Sequence, residues 1–283
     1  MKIAITAEST IDLPKDLREK FDIKTVPFSI LLGEELIEDG EDAARQIFDY
    51  VAKTKVLPKT SAVNEEQYRD FFDAVLKEYD AIVHFSLSSQ MSSAFENARR
   101  VAENYTNVKV IDSQSLSTGI ALLAIYARKL ANKGDEVDKI VEAVEKRIPF
   151  VQASFVLKRL DYLYKGGRCS RLQLFGANLL KLRPQILVQN GKMGPSKRFR
   201  GNMDKCIMEY CNATLETFDS PDLDTAFITY SSKPQTETLE RIKELLKQRG
   251  FKNIYTTTAS GTISSHCGED CLGILYINDG SKK

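Results

Sequence analysis

The sequence has no tryptophan, two histidines and five cysteines among its 283 residues. The cysteines are odd in number and form no CxxC pair, which indicates free thiols in a reducing compartment rather than a disulfide framework. No apolar run approaches the ~18 residues of a transmembrane helix, and the apolar run at the N-terminus is too short for a signal peptide. We therefore expect a soluble, cytoplasmic protein.

An excess of charge of one sign is also missing. Lys and Arg total 40 and Asp and Glu total 39, so the net charge of +1 predicts no general attraction to nucleic acid or membrane. The charge is unevenly placed, because residues 165–205 hold ten basic side chains and one acidic side chain. This basic segment is either a solvated face or a surface for an acidic partner, an anionic membrane or an anionic product. Arg198 and Arg200 are its best candidates for partner docking.

Several motifs of catalysis and cofactor binding are absent. The chain has no G-x-S-x-G elbow, no Walker loop and no glycine-rich dinucleotide turn, and Arg168 follows Gly166-Gly167 where a phosphate loop has Lys-Ser. His266, Cys267 and Cys271 lack the second ligand pair of a zinc site. We expect no metal and no cofactor, and catalysis by this chain alone is disfavoured.

What is present is an alternation of short apolar strands with amphipathic helices through the first half. This alternation predicts a parallel sheet covered on both faces by helices. Pro149 marks a boundary, so the expected fold is α/β with two domains. Residues 1–149 would form a parallel-sheet domain with a hydroxyl-rich site, and residues 150–283 an α/β domain with a mixed sheet. Gly191 predicts a hairpin turn in the second domain.

Hydroxyl side chains gather where strands of the first half end. A predicted strand at residues 81–85 leads through Ser86, Ser88, Ser89, Ser92 and Ser93 into a helix. In parallel sheets ligands lie beyond the carboxyl ends of the strands, where the first N–H groups of the following helix can hold an anion. A serine there can equally serve only as an N-cap. Residues 8–10 and 112–113 are further polar strand ends there, and Thr60-Ser61, before the helix expected from Glu65, is a hydroxyl pair in a similar place.

The two histidines differ in their surroundings. His84 lies in an apolar strand, which is typical of a core residue. His266 follows two serines in what the sequence indicates is a glycine-flanked loop, the commoner setting for function. The sequence leaves open whether His266 binds a ligand or has only a structural role in a loop.

Six motifs in the same order resemble the DegV family of fatty-acid-binding proteins. The motifs are Ser9-Thr10-Ile11-Asp12-Leu13, Thr60-Ser61, the segment LSSQMSSAFENA at 87–98, Ile111-Asp112-Ser113, Tyr162-Leu163-Tyr164-Lys165-Gly166-Gly167-Arg168, and Leu180-Lys181-Leu182-Arg183-Pro184 with Gly191 and Lys197-Arg198. The chain departs from the family pattern at Ala7, Val63, Ser93 and Cys267. The Y-L-x-K-G-G-R string is the most specific of the motifs.

The resemblance implies a protein that holds one long-chain fatty acid between its two domains. It also implies that the chain presents the carboxylate to a separate fatty acid kinase, which makes an acyl phosphate for phospholipid synthesis. Carried over by position, the carboxylate contacts would be Thr60, Ser92 and His266, with Ser61, Ser93 and Arg168 beside them. The bound fatty acid would be a ligand and not a cofactor.

Two other hypotheses remain open from the sequence. One is a stand-alone acyl hydrolase or transferase that uses Ser92 and His266. The other is a regulatory or nucleic-acid-binding protein that works through the basic segment, although no recognition-helix pattern accompanies its charges. We expect the kinase and an anionic membrane surface as partners, and no nucleic acid.

Overall fold

The computed structural model describes residues 1–40, 42–169 and 182–280. Leu180 and Lys181 of the last motif, and the cation Arg171 of the basic segment, lie outside the described residues. Within the described ranges, no helix is both long enough and apolar enough to cross a membrane.

Four parallel strands form the sheet of the N-terminal half, which confirms the predicted alternation. They are β1 (Ile3–Glu8), β2 (Ile23–Val26), β6 (Ala81–Ser86) and β7 (Val108–Asp112), in the order β2-β1-β6-β7. The helices that pack against this sheet are α1 (Lys15–Lys20), α3 (Glu65–Leu76), α4 (Ala94–Ala102), α5 (Thr118–Lys133) and α6 (Val137–Glu145). Every residue of β1 and β6 is buried, as strands covered on both faces must be.

Within residues 28–61, three strands form a small separate sheet. It contains β3 (Ser29–Leu32), β4 (Glu35–Glu38) and β5 (Lys59–Ser61), all antiparallel in the order β4-β3-β5, and it packs on α2 (Ala43–Thr54). Thr60 and Ser61 thus lie on a strand of this small antiparallel sheet and not at the end of a strand of the parallel sheet. The reason is that Ile30 and Leu32 bury their side chains against α2, so the chain leaves the parallel sheet after β2.

The C-terminal half contains a mixed sheet of six strands, as predicted. Its strands are β8 (Val151–Val156), β9 (Leu182–Gln189), β10 (Lys192–Arg200), β11 (Thr225–Tyr230), β12 (Asn253–Thr258) and β13 (Leu272–Ile277), in the order β10-β9-β8-β13-β11-β12. Only β11 and β12 pair in parallel. Its helices are α7 (Asp161–Lys165), α8 (Met203–Thr217), α9 (Thr236–Arg249) and α10 (Gly261–Cys267). Asn190 and Gly191, both with positive φ, make the predicted hairpin turn between β9 and β10.

The hydrophobic core continues from one half of the chain into the other. Phe155, Phe227 and Leu275 of the mixed sheet belong to the same core cluster as the parallel sheet. Their strand neighbours Val156, Ile228 and Tyr276 point to the opposite face and pack with α8 and α9. The boundary predicted at residue 149 falls in a short 3-10 helix, Ile148–Phe150, and the division into two domains stays a prediction.

Candidate functional site

A cavity of about 320 Å³ is lined by both halves of the chain. Its volume falls within the roughly 300–1,000 Å³ typical of ligand pockets. The apolar part of its wall includes Phe28, Leu87 and Met91 from the N-terminal half. Phe155, Leu163 and Leu275 contribute from the C-terminal half. Such a wall suits an apolar ligand, which the two halves would enclose together.

All six residues that the resemblance assigns to a carboxylate site line this cavity. They are Thr60, Ser61, Ser92, Ser93, Arg168 and His266. Thr60, Ser92 and His266 are half-buried, whereas Ser61, Ser93 and Arg168 are exposed. The polar cluster therefore reaches the protein surface, while the apolar residues line the interior.

Thr60 and His266 form a direct contact although they lie 206 residues apart. The Thr60 Oγ1 and His266 Nε2 atoms are 2.9 Å apart, and the tautomer of the ring decides which of them donates. Thr60 lies on β5 and His266 in the last turn of α10. The expectation of a glycine-flanked loop at His266 is thus wrong. Ser260 caps a helix there by accepting a hydrogen bond from the Ile263 N–H with its hydroxyl.

Gly166, the first glycine of the Y-L-x-K-G-G-R string, packs against this histidine. A Cβ atom on Gly166 would lie 2.5 Å from His266 Nδ1, which is closer than real Cβ atoms come to their neighbours. Gly166 follows α7, and the next glycine, Gly167, has a φ of +70°. The absence of a side chain at Gly166 therefore allows the His266 ring to lie beside the end of α7.

His266 has a markedly lowered pKa. Burial, and secondly the positive charge of Arg168, lower the pKa of the His266 imidazole to about 4 from its usual 6.5. The ring is therefore neutral at pH 7. Its Nδ1 atom is buried without a hydrogen-bond partner in the described structure. A neutral imidazole can bind a carboxylate through an N–H donor without forming an ion pair.

The serines after β6 have separate roles. Ser86 donates to Glu8, Ser88 to the Gly191 carbonyl, and Ser89 to Asp112. The Ser92 hydroxyl accepts from the Ala94 N–H, and Ser93 occupies the N-cap position of α4 without a capping hydrogen bond from its side chain. Of these five serines, only Ser92 and Ser93 line the cavity.

Glu8 organises the end of β1 inside the core. Its carboxylate accepts hydrogen bonds from Tyr68, Ser86, His84 and the Leu87 N–H, and it is fully buried. Burial alone would raise the pKa of Glu8, but its bond to His84, the charge of His84 and the Tyr68 and Ser86 hydroxyls outweigh that effect and lower it. His84 is also buried and contacts the Thr6 hydroxyl, which confirms it as a core residue.

Arg198 and Arg200 lie apart from the cavity. Both are exposed on β10, an edge strand of the mixed sheet, and neither lines the cavity wall. Among the described residues, no group of three or more His, Cys, Asp or Glu side chains could hold a metal ion. All five cysteines are buried free thiols, and Cys206 and Cys211 lie on the buried side of α8, in the core.

The sequence profile of the DegV family, whose description calls its members uncharacterised, matches residues 2–279. The chain belongs to the DegV family. A DegV relative from Thermotoga maritima, named a fatty acid-binding protein, is 29% identical over 280 residues, 96% of each chain. The profile match over residues 2–279 confirms the family that the six motifs indicate.

Solved DegV structures share the fold over the whole chain. DegV of Bacillus subtilis, described as a fatty acid binding protein, is 26% identical with a TM-score of 0.84, covering 99% of this chain and 100% of its own. The Streptococcus pneumoniae fatty acid kinase B3 protein, solved with linoleic acid, is 18% identical with a TM-score of 0.83, covering 99% of this chain and 100% of its own. The α/β fold of this chain is thus the DegV fold.

Two features of the site had no clear sequence signal. The contact between Gly166 and His266 joins residues 100 positions apart, and only the Y-L-x-K-G-G-R string pointed to this region. The carboxylate of Asp39 accepts hydrogen bonds from the first turn of α10, and nothing in the sequence around Asp39 indicates this contact. Both features are contacts of α10, the helix that carries His266.

Proposed function

We propose that this chain binds one long-chain fatty acid, with the acyl chain in the cavity and the carboxylate at Thr60, Ser92 and His266. Ser61, Ser93 and Arg168 would lie beside the carboxylate. The observation that carries this proposal is that all six of these side chains line one largely apolar cavity. The fatty-acid-binding name of the 29% identical relative supports it.

The energetics assign different roles to the two ends of the ligand. Burial of a methylene group is worth about 0.8 kcal/mol, so a tail of roughly 14 methylenes contributes on the order of 11 kcal/mol before costs. Three neutral hydrogen bonds contribute about 1 kcal/mol each. The acyl chain therefore sets the affinity, and the polar cluster sets where the carboxylate lies.

The neutral state of His266 suits a site that must release its ligand head. A buried ion pair would hold the carboxylate strongly, whereas hydroxyl groups and a neutral imidazole offer hydrogen bonds of moderate strength. Because Ser61, Ser93 and Arg168 are exposed, the carboxylate would lie near the surface. A second protein could then reach it.

We further propose that the second protein is a fatty acid kinase, which forms an acyl phosphate from the presented carboxylate. The support is the fold shared with a protein named for that kinase, together with the exposed edge of the polar cluster. Arg198 and Arg200 would dock the kinase, and an anionic membrane surface would be a further partner. The chain itself would need no cofactor, and the cytoplasm remains its expected location.

A hydrolase that uses Ser92 and His266 has less support. His266 contacts Thr60, and the Ser92 hydroxyl is engaged by the Ala94 N–H, so no hydrogen bond joins the two residues. A serine nucleophile requires a base within hydrogen-bond reach. The geometry favours binding over hydrolysis.

The direct test is native mass spectrometry of the protein as purified from cells. We expect one fatty acid per chain, with the acyl ligand identified after denaturation. Protein that carries no fatty acid and cannot be loaded with oleate would contradict the proposal. Release of free fatty acid from an acyl ester by the chain alone would instead support the hydrolase.

Two substitutions separate the proposed roles. Ser92→Ala should slow phosphorylation of the bound fatty acid about tenfold while changing lipid affinity less than threefold, because the tail dominates binding.

Arg198→Glu should leave lipid binding unchanged and weaken kinase coupling, as a change of charge at a docking surface does. Arg45→Glu, at an exposed position on α2, is the matched control. Complete loss of lipid in Ser92→Ala, or normal coupling in Arg198→Glu, would reject the corresponding role.

A further inference from the structure

The first turn of α10 is held by a carboxylate from a distant part of the chain. Asp39 follows β4, is 5% exposed, and accepts hydrogen bonds from the Gly261 N–H at 2.7 Å and the Thr262 N–H at 3.2 Å. The Ser9 hydroxyl donates to the same carboxylate at 2.9 Å. Negative charge at a helix N-terminus is favourable because the first N–H groups have no partner within the helix.

The helix start also lies unusually close to the small sheet and α2. A Cβ atom on Gly261 would lie 2.6 Å from both the Ala43 Cβ and the Ile30 Cδ1 atoms, and 3.0 Å from the Asp39 carboxylate. The glycine therefore lets the backbone of α10 approach the carboxylate directly. Contacts with Ala43 of α2, Ile30 of the small sheet and Asp39 together therefore fix the position of the helix start.

The same small sheet meets the other end of α10. Ile30, whose side chain contacts Gly261, is the strand partner of Thr60 on β5. Thr60 in turn contacts His266. Residues 261 and 266 lie about 7.5 Å apart along a helix axis. The sheet thus holds α10 at its start through Asp39 and meets its end through Thr60.

We propose that Asp39 is a positioning residue for the polar cluster, because its carboxylate fixes α10 and thereby places the His266 ring against Thr60. The effect of Asp39 on a bound fatty acid carboxylate rests on the proposed function, whereas its effect on the position of the His266 ring does not. Burial raises the pKa of Asp39, so the step rests on its two acceptor oxygens, which take three donors. Asp39→Asn replaces one of these oxygens with an NH2 donor, so the three hydrogen bonds cannot all form, and α10 should loosen and admit water to the ring.

The test uses the fact that the sequence contains two histidines. Lipid-free full-length protein with 15N-labelled histidine gives one set of ring signals for each, and His84 serves as the internal reference. In Asp39→Asn we expect the pKa of His266 to rise from about 4 toward its usual 6.5, while the His84 signals stay in place. Asp42→Asn, an exposed residue three positions away, is the matched control and should match the wild type.

A purely structural role predicts a different result. In that case Asp39→Asn would lower the melting temperature and leave the His266 titration as in the wild type, and this outcome would overturn the proposal. If Asp39→Asn fails to fold, Ser9→Ala removes one donor to the carboxylate. It should shift the His266 titration in the same direction by a smaller amount, and an unshifted titration would again contradict the proposal.

A second measurement connects the placement to the ligand. In protein loaded with oleate labelled at the carboxyl carbon, we expect the 13C signal of the carboxylate to shift in Asp39→Asn, with retention of the lipid within about threefold. An unshifted signal would contradict the influence of Asp39 on the ligand. Wild-type protein that takes up no oleate would contradict the proposed function alone, because the histidine titration is measured without lipid.

Discussion

Asp12 is a buried carboxylate at the junction of the two halves. It accepts hydrogen bonds from the Ser117 hydroxyl and the Ser260 N–H, so it joins the start of α5 to the start of α10. Burial raises its pKa to about 7, against the pull of these hydrogen bonds, and the nearby Asp39 raises it further. The ionised form is therefore less favourable in the folded protein than in the unfolded chain.

This residue predicts a dependence of stability on pH. Because the folded pKa lies above the unfolded value of 3.8, the contribution of Asp12 is full below about pH 4 and is lost as the pH rises through about 7. The Asp12→Asn variant has no titratable group at this position. Its unfolding free energy relative to the wild type should therefore increase from pH 5 to pH 8 by on the order of 2 to 3 kcal/mol. Urea unfolding at both pH values measures the difference.

The control for this prediction is Asp42→Asn. Its stability difference from the wild type should be the same at pH 5 and pH 8. A difference between Asp12→Asn and the wild type that does not change with pH would show that the Asp12 carboxylate is ionised in the folded protein at pH 5.

At the scale of elements, α10 is a short helix whose place depends on its neighbours. It has seven residues, few of them apolar, and its first turn relies on Asp39 and Ser260. A helix of this length has little stability of its own in water. Its contacts with α2, the small sheet and α7 therefore decide where His266 lies.

Gly261→Ala tests this dependence. The added methyl group would overlap Ala43 and Ile30, so we expect α10 to shift and the protein to lose about 1 to 3 kcal/mol of unfolding free energy. The His266 resonances should change at the same time. Gly40→Ala is the control, because a Cβ there would meet no atom within 4 Å. Equal stability of the two variants would mean that α10 is free to move.

At the scale of the whole molecule, the shared core and the shared cavity couple the two halves. The largest core cluster contains residues of both large sheets, and the cavity wall does too. A ligand that binds the folded state alone stabilises it by about 2.7 kcal/mol at a concentration one hundred times its Kd. Because both halves line the cavity, stabilisation by a ligand bound there should apply to the molecule as a unit.

We therefore expect calorimetry of lipid-free protein to show one unfolding transition that oleate moves to higher temperature as a whole. A methyl ester of oleate, which lacks the carboxylate charge, should move it as well, because tail burial dominates the affinity. Two transitions of which oleate shifts only one would show that the halves unfold separately and that one half holds the lipid.

The elements with strong periodicity could be predicted from the sequence. The strand β6 lies within one residue of the strand predicted at residues 81–85, because a strand with two buried faces carries its pattern locally. β5 has three residues and α10 has a mostly polar sequence, so neither shows a period. Their positions are set by contacts with distant segments.

The sequence by itself determined the alternation of strands and helices, the hydroxyl groups at the strand ends and the motifs of the DegV family. These are properties of neighbouring residues, which hydrophobic periodicity and residue chemistry express directly. Only the tertiary structure decided that Thr60 and His266 touch, that Ser92 reaches the cavity while Ser86, Ser88 and Ser89 do not, and that Asp39 holds α10. The contacts of Thr60 and Asp39 with α10 join segments that are far apart in the chain, and they form only when the small sheet packs against α10.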